Sequence, residues 1–170
     1  HDLNLFDVSE SPISGGSLVA YFTKEKREVT DALKDKLDWE DENGIASLEA
    51  WLEFAKKSFH HREQLKKMIV EENLAGKRVI GYGASARSST MLNFCGINHN
   101  HLRCVADQNP LKHNRYTPGT DVLIVSPEDA LKENPDTIVI LAWNFKDEII
   151  EDLKAKGFSG TIIIPLPTTP

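Results

Sequence analysis

The sequence predicts an α/β protein whose main part is a parallel sheet covered by helices on both faces. From Gly76 onward, short runs rich in Val, Ile and Leu alternate with segments of helical pattern, and a glycine-rich turn at 81–86 joins the first run to the first helix. A β-hairpin and a long amphipathic helix precede this part. Because parallel strands need crossover connections, this alternation is typical of a doubly wound, Rossmann-like domain.

Length and composition restrict the class of protein. The chain has 170 residues, about one domain, and 26 acidic against 20 basic residues give a formal charge of -6 without a basic cluster. The longest apolar runs, 138–143 and 161–166, are far shorter than the roughly 20 residues that cross a bilayer. We therefore expect a soluble, cytoplasmic protein that binds neither nucleic acid nor a membrane.

Three segments are expected ahead of the sheet along the chain. Residues 1–23 read as two strands, 3–8 and 17–22, around Ser14-Gly15-Gly16, and such a hairpin is too small to fold alone. Residues 24–44 are highly charged and predict a linker or exposed helix. From residue 45, apolar residues recur mostly three or four apart until Gly76, which predicts a long amphipathic helix at the start of a domain covering 45–170.

Five strands and three helices are predicted after this helix. The strands are expected at 78–82, 102–107, 122–124, 137–141 and 161–164, and the helices at 86–95, after Ser126-Pro127, and at 146–156. This order predicts a five-stranded parallel sheet with the glycine turn at its carboxyl edge.

The glycine turn is the segment with the clearest chemistry. Gly81 and Gly83 allow a tight turn and close backbone approach, while a helix start offers amide groups and a favourable dipole to an anion. Gly81-x-Gly83-x-x-Ala86 also fits the dinucleotide fingerprint, and Asp107 ends the second strand where a ribose hydroxyl is bound in such proteins. The residues by themselves therefore favour an NAD(P)-dependent oxidoreductase, with a turn that binds no ligand as the alternative.

Other reactive side chains do not form a recognisable site. The adjacent His60 and His61 face different sides of a helix, and His99 and His101 have no neighbouring Cys or carboxylate set. Cys95 ends a helix, where the dipole does not favour a thiolate, and with Cys104 it lacks C-x-x-C spacing. No metal site is expected.

Five ordered motifs resemble the carboxy-terminal domain of S-adenosylmethionine-dependent nucleotide-sugar C-methyltransferases. They read Gly-Tyr-Gly-Ala-Ser-Ala-Arg at 81–87, Leu-Asn-Phe-Cys-Gly-Ile at 92–97, Asp-Gln-Asn-Pro-Leu-Lys at 107–112, Tyr-Thr-Pro-Gly-Thr at 116–120 and Leu-Ala-Trp-Asn-Phe at 141–145. The resemblance covers about residues 45–165. It implies an enzyme that methylates a carbon of a nucleotide-linked deoxyketosugar.

The same resemblance implies that the chain is a fragment. Its hairpin looks like the last two strands of an upstream methyltransferase domain, which in this family binds S-adenosylmethionine and carries the catalytic residues. No catalytic residue is therefore expected here, and the fragment alone is expected to be inactive. Ser14 stands where many relatives have His before the Gly-Gly pair. The expected partners are the upstream domain and a nucleotide-diphosphate sugar, and a homodimer is left open.

The predicted substrate-binding residues lie at three places in the sequence. The first is the turn and helix start, with Arg87 supplying charge for a diphosphate; the others follow the second and the fourth predicted strand, at the carboxyl edge. They are Gly81, Tyr82, Gly83, Ala84, Ser85, Ala86, Arg87, Ser88, Ser89, Thr90, Asp107, Asn109, Lys112, Arg115, Trp143 and Asn144. A noncatalytic Rossmann-like interaction module is the third function considered.

Overall fold

A computed structural model describes residues 1–13 and 16–166 of the chain. Ser14 and Gly15 of the predicted hairpin loop lie outside the described residues, as do the last four residues of the predicted 45–170 domain. The chain divides into two compact units, residues 1–57 and residues 58–170. Within the described residues, no helix has the length and apolar character needed to cross a membrane.

The first unit contains the predicted hairpin and a helix. Strands β1 (Asn4–Ser11) and β2 (Ser17–Thr23) pair antiparallel, with an irregularity between Leu5 and Asp7. Helix α1 (Asp31–Glu42) starts at Thr30, whose N–H donates to Phe6 O at 2.9 Å and whose hydroxyl donates to the Asp7 carboxylate at 2.6 Å. Thr30 therefore fastens the start of α1 to β1.

The predicted long helix is present as α2 (Leu48–Leu74). Only the second half of its apolar stripe is buried: Leu65 and Ile69 are fully covered, whereas Leu48 is 75 % and Trp51 59 % exposed. A helix stripe stabilises a fold only where it is covered. The amino-terminal half of the stripe thus adds little to stability in this structure.

The second unit contains the predicted parallel sheet. Its strands are β3 (Val79–Tyr82), β4 (Val105–Ala106), β5 (Ile124–Val125), β6 (Thr137–Ile140) and β7 (Thr161–Ile163). They lie in the order β5-β4-β3-β6-β7, and every neighbouring pair is parallel. The prediction of a five-stranded parallel sheet is confirmed. Because the chain moves outward from β3 in both directions, the strand order reverses between β3 and β6, where open α/β sheets bind ligands.

Helices cover both faces of this sheet. The connections contain α3 (Ala86–Cys95), α4 (Pro127–Lys132) and α5 (Lys146–Ala155). Alternate residues of β3 enter two separate apolar clusters, because neighbouring side chains of a strand point to opposite faces. Val79 joins Leu65, Ile69 and Leu92 in one cluster, whereas Ile80 joins the cluster that includes Leu153 of α5.

Burial on α2 generates a stability prediction. Leu65 is fully buried, whereas Leu74 on the same helix is 83 % exposed. Leu65→Ala should lower the free energy of unfolding by about 2–5 kcal/mol, because it leaves a cavity under the sheet. Leu74→Ala, the matched control, should change it by no more than about 0.5 kcal/mol. Urea titrations of both variants measure this difference, and equal costs would contradict the burial of Leu65 beneath the sheet.

Candidate functional site

The glycine turn follows β3 and lies beside Ala142. Gly83 has a φ angle of 103°, and a Cβ built there would lie 2.4 Å from the Cβ of Ala142 and 2.9 Å from its backbone nitrogen. The Gly83 N–H donates to Ala106 O at 2.7 Å, and the Ala142 N–H donates to Tyr82 O at 3.1 Å. Glycine is therefore required at position 83 by its backbone conformation and by this contact.

The start of α3 is closed by its own serines. The Ser85 hydroxyl accepts from Ser88 N–H at 3.1 Å, and the Ser88 hydroxyl accepts from Ser85 N–H at 2.6 Å, which forms a capping box. The Ser89 hydroxyl donates to Ser85 O at 3.2 Å, and the Thr90 hydroxyl donates to Ala86 O at 3.1 Å. The hydroxyls predicted to meet a diphosphate thus bind the backbone of their own helix.

Asp107 joins the turn after β3 to the loop after β4. Its Oδ2 accepts from the Ala84 N–H at 2.8 Å and from Lys112 Nζ at 3.0 Å, and its Oδ1 accepts from the Asn109 N–H at 2.9 Å. Lys112 Nζ also donates to Ala84 O at 2.8 Å. The carboxylate is nearly covered, with 11 % of the side chain exposed. These contacts fasten the two loops to each other.

A cleft of about 390 Å³ lies at this carboxyl edge of the sheet. Six predicted residues line it: Tyr82, Gly83, Ser85, Asp107, Asn109 and Lys112. Five further lining residues were not predicted: Gln108, Ala142, Phe145, Glu148 and Ile149. The cleft therefore joins the ends of β3 and β4 to the first turns of α5.

The three unpredicted residues near α5 had a signal in the sequence. Phe145, Glu148 and Ile149 stand at i, i+3 and i+4, so they share one helix face. They follow the predicted strand 137–141, whose carboxyl end was expected at the ligand crevice. Continuing that rule into the first turn of the helix would have found them.

The other predicted residues take different positions. Trp143 packs against the apolar cluster that contains Leu65, on the face of the sheet opposite Tyr82. Gly81 is buried, and a Cβ there would come within 2.7 Å of the Leu141 side chain. Arg87, Arg115 and Asn144 are exposed, and Ala84 and Ala86 form the turn and first residue of α3. None of these is among the residues that line the cleft.

Tyr82 places a buried phenol among the residues that line the cleft. Its side chain is 3 % exposed, and burial raises the pKa of the phenol above its ordinary value. Gln108 Nε2 donates to the Tyr82 hydroxyl at 3.5 Å. The phenol stays protonated at neutral pH and acts there as a neutral hydrogen-bonding group.

His101 and the two cysteines take part in the fold. His101 Nδ1 lies 2.9 Å from Asn98 Oδ1 within one tight turn, and burial lowers the pKa of its imidazole. Cys95 and Cys104 are both buried, and burial raises the pKa of the Cys104 thiol to about 11. Across residues 1–13 and 16–166, no three His, Cys, Asp or Glu side chains are grouped so that they could hold a metal ion.

The chain matches the family described as "C-methyltransferase C-terminal domain" over residues 12–167. The chain belongs to this family. It is also similar to a protein named C-methyltransferase NovU from Streptomyces niveus, with 34 % identity over 170 residues. The match covers 98 % of this chain and 40 % of that relative, so the chain spans less than half the length of the curated relative it matches. The resemblance inferred from five motifs is thereby confirmed.

Two of those motifs meet in this C-methyltransferase C-terminal domain. Asn93 Nδ2 donates to Ser89 O at 2.8 Å and to Pro118 O at 2.9 Å. A Cβ at Gly119 would lie 2.4 Å from Asn93 Oδ1, so glycine leaves room for the amide. The Asn93 side chain thus joins α3 to the 116–120 loop, and these motif residues act in folding the domain.

The contact at Gly83 generates a prediction about the C-methyltransferase C-terminal domain. Gly157 also has positive φ, 84°, but a Cβ there would meet nothing within 4 Å. Gly157→Ala should therefore cost only the backbone strain, about 1–2 kcal/mol. Gly83→Ala should cost about 1–3 kcal/mol more, because the added methyl group overlaps Ala142. Urea unfolding of the two variants provides the comparison, and similar costs would exclude the overlap as the reason for glycine at 83.

Proposed function

We propose that this chain is part of an S-adenosylmethionine-dependent enzyme that methylates a carbon of a nucleotide-linked deoxyketosugar. In this proposal, the second unit binds the nucleotide-diphosphate part of that substrate at the carboxyl edge of the sheet, at and around the cleft. The observation that carries it is the position of the cleft, between the end of β3 and the start of α5, in a chain that belongs to the C-methyltransferase family. Open α/β sheets bind their ligands at this edge.

The lining groups suit binding and orientation of a nucleotide. Phe145 presents an aromatic ring that is 53 % exposed, and Gln108 and Asn109 supply amide groups. Glu148 supplies a carboxylate, which accepts hydrogen bonds from hydroxyl or N–H donors. An aromatic surface with a few convergent polar groups is the common composition of a small-molecule site. We assign these residues to holding the substrate and none of them to the methyl-transfer step.

The methyl-transfer step is proposed to belong to the remaining length of the enzyme. This chain spans 40 % of the related C-methyltransferase, which leaves more than half of that protein unmatched. S-adenosylmethionine and the catalytic groups are assigned to that part, as an upstream methyltransferase domain. The hairpin is proposed to contact this domain, since Leu18 and Phe22 on β2 are 50 % and 55 % exposed. The chain alone should then transfer no methyl group.

The oxidoreductase alternative has less support from the glycine turn. The amides of Gly83, Ala84 and Ser85 donate to Ala106, Asp107 and Ser88. In a dinucleotide-binding turn, such amides face the pyrophosphate. A dinucleotide would have to displace these contacts, so the turn as it stands does not fit that cofactor well.

Calorimetric titration tests the function directly. Separate titrations of the 170-residue chain would use a thymidine-diphospho-deoxysugar, NADH and S-adenosylmethionine. The proposed function predicts that the sugar nucleotide binds most tightly and that S-adenosylmethionine does not bind this part of the enzyme. Tighter binding of NADH would favour an oxidoreductase, and no binding of any of the three would favour an interaction module.

The proposed diphosphate contact of Arg87 can be tested with a matched variant. Arg87→Ala should weaken binding of the sugar nucleotide by about 1–3 kcal/mol, because a charge-assisted hydrogen bond to phosphate is lost. Arg103 is also exposed, but it precedes β4 and therefore lies at the opposite edge of the sheet. Arg103→Ala should leave the affinity unchanged. Equal affinities for both variants in calorimetry would remove Arg87 from the site.

A further inference from the structure

Asp107 lies where a bound anion would lie at the glycine turn. Its carboxylate accepts from the Ala84 N–H at 2.8 Å and from Lys112 Nζ at 3.0 Å. A phosphate held at a strand-to-helix turn makes the same kinds of contact, with backbone amides and an ammonium group. The protein therefore supplies its own anion to this turn.

The charges around the cleft also disfavour the binding of a phosphate group beside Asp107. The ionisable carboxyl and ammonium groups that line it are Asp107, Glu148 and Lys112, two acidic groups and one basic group. Lys112 Nζ is already bound to the Asp107 carboxylate and to Ala84 O, at 3.0 and 2.8 Å. A diphosphate inside the cleft would face two carboxylates, and the Lys112 ammonium group would already be bound to Asp107 and to Ala84 O. Like charges repel, and the repulsion is strongest near Asp107, whose side chain is only 11 % exposed.

Hydrogen-bond donors, in contrast, suit the same surface. A carboxylate has about four acceptor positions, and the Asp107 carboxylate accepts three hydrogen bonds, from Ala84, Lys112 and Asn109. The hydroxyl groups of a ribose and the N–H groups of a base can donate to Asp107 or Glu148, whereas phosphate oxygens only accept. The half-exposed ring of Phe145 offers a flat surface on which a base can stack.

Within the proposed function, we infer that the cleft binds the uncharged nucleoside end of the nucleotide sugar and that Asp107 determines this specificity. The Asp107 carboxylate keeps phosphate groups away from the Gly83–Ala84 turn. The diphosphate then lies outside the turn, and the glycine-rich motif serves to hold Asp107 and Lys112 in position.

The test uses inorganic pyrophosphate as the probe and calorimetry of the full chain. Asp107→Asn and Asp107→Ala remove the competing charge and release Lys112, so both should bind pyrophosphate roughly tenfold more tightly than the unsubstituted chain. Glu148→Gln removes the same charge from the cleft without touching the turn and should produce a smaller gain. If neither Asp107 variant gains more affinity for pyrophosphate than Glu148→Gln does, the inference is overturned.

The unsubstituted chain supplies a second test that does not depend on the folding of a variant. In a titration followed by amide NMR, excess pyrophosphate should leave the Ala84 resonance in place, because Asp107 holds its N–H. Thymidine and uridine, as uncharged probes, should shift the resonances of Gln108 and Phe145. A large pyrophosphate-induced shift of Ala84 would show that phosphate enters the turn, contrary to the inference.

These outcomes separate the inference from the proposed function. If the sugar nucleotide does not bind at all, the proposed function fails, whereas the response of the Asp107 variants to pyrophosphate is still measured. If the sugar nucleotide binds and pyrophosphate strongly shifts the Ala84 resonance, the proposed function stands and the inference is wrong.

Discussion

The second unit depends on the hydrogen bonds that join the end of β3, at Tyr82 and Gly83, to the ends of β4 and β6. Tyr82 O accepts from the amides of Leu141 and Ala142, at 2.8 and 3.1 Å, and the Gly83 N–H donates to Ala106 O at 2.7 Å. The chain after β3 is thereby held to its neighbours on both sides, which requires the close backbone contact that only glycine permits. The positions of α3, of the loop after β4 and of the cleft all follow from this point.

Periodicity was sufficient to predict the architecture of this unit. The central strands β3 and β6 are buried on both faces, so their apolar runs stand out from the polar helices between them. The strand limits were less accurate: 102–107 was expected as a strand, but only Val105–Ala106 has that conformation. Leu102 and Cys104 are buried regardless, and burial without strand pairing produces the same apolar pattern in a sequence.

The site was harder to predict than the fold, because a polar residue in a turn can bind either a ligand or a group of the protein itself. Ser88 and Asp107 were expected to face a ligand, but Ser88 caps α3 and Asp107 binds a backbone amide. Sequence shows which groups can form hydrogen bonds but not which partner is nearer. Trp143 illustrates the same problem for apolar contacts, since its strand end was predicted correctly but its ring packs on the apolar cluster of the opposite face.

The lengths of the outer strands differ sharply between the two sheets. The five-stranded sheet ends in β5 and β7, of two and three residues, so each outer edge offers few backbone groups to an incoming strand. In the described part of the chain, the seven-residue β2 pairs with β1 alone. A long open edge with apolar side chains is a template for strand addition, whereas a short edge resists it. Unwanted self-association of the isolated chain would therefore start at the hairpin, and charged substitutions on β2 are the rational means to suppress it.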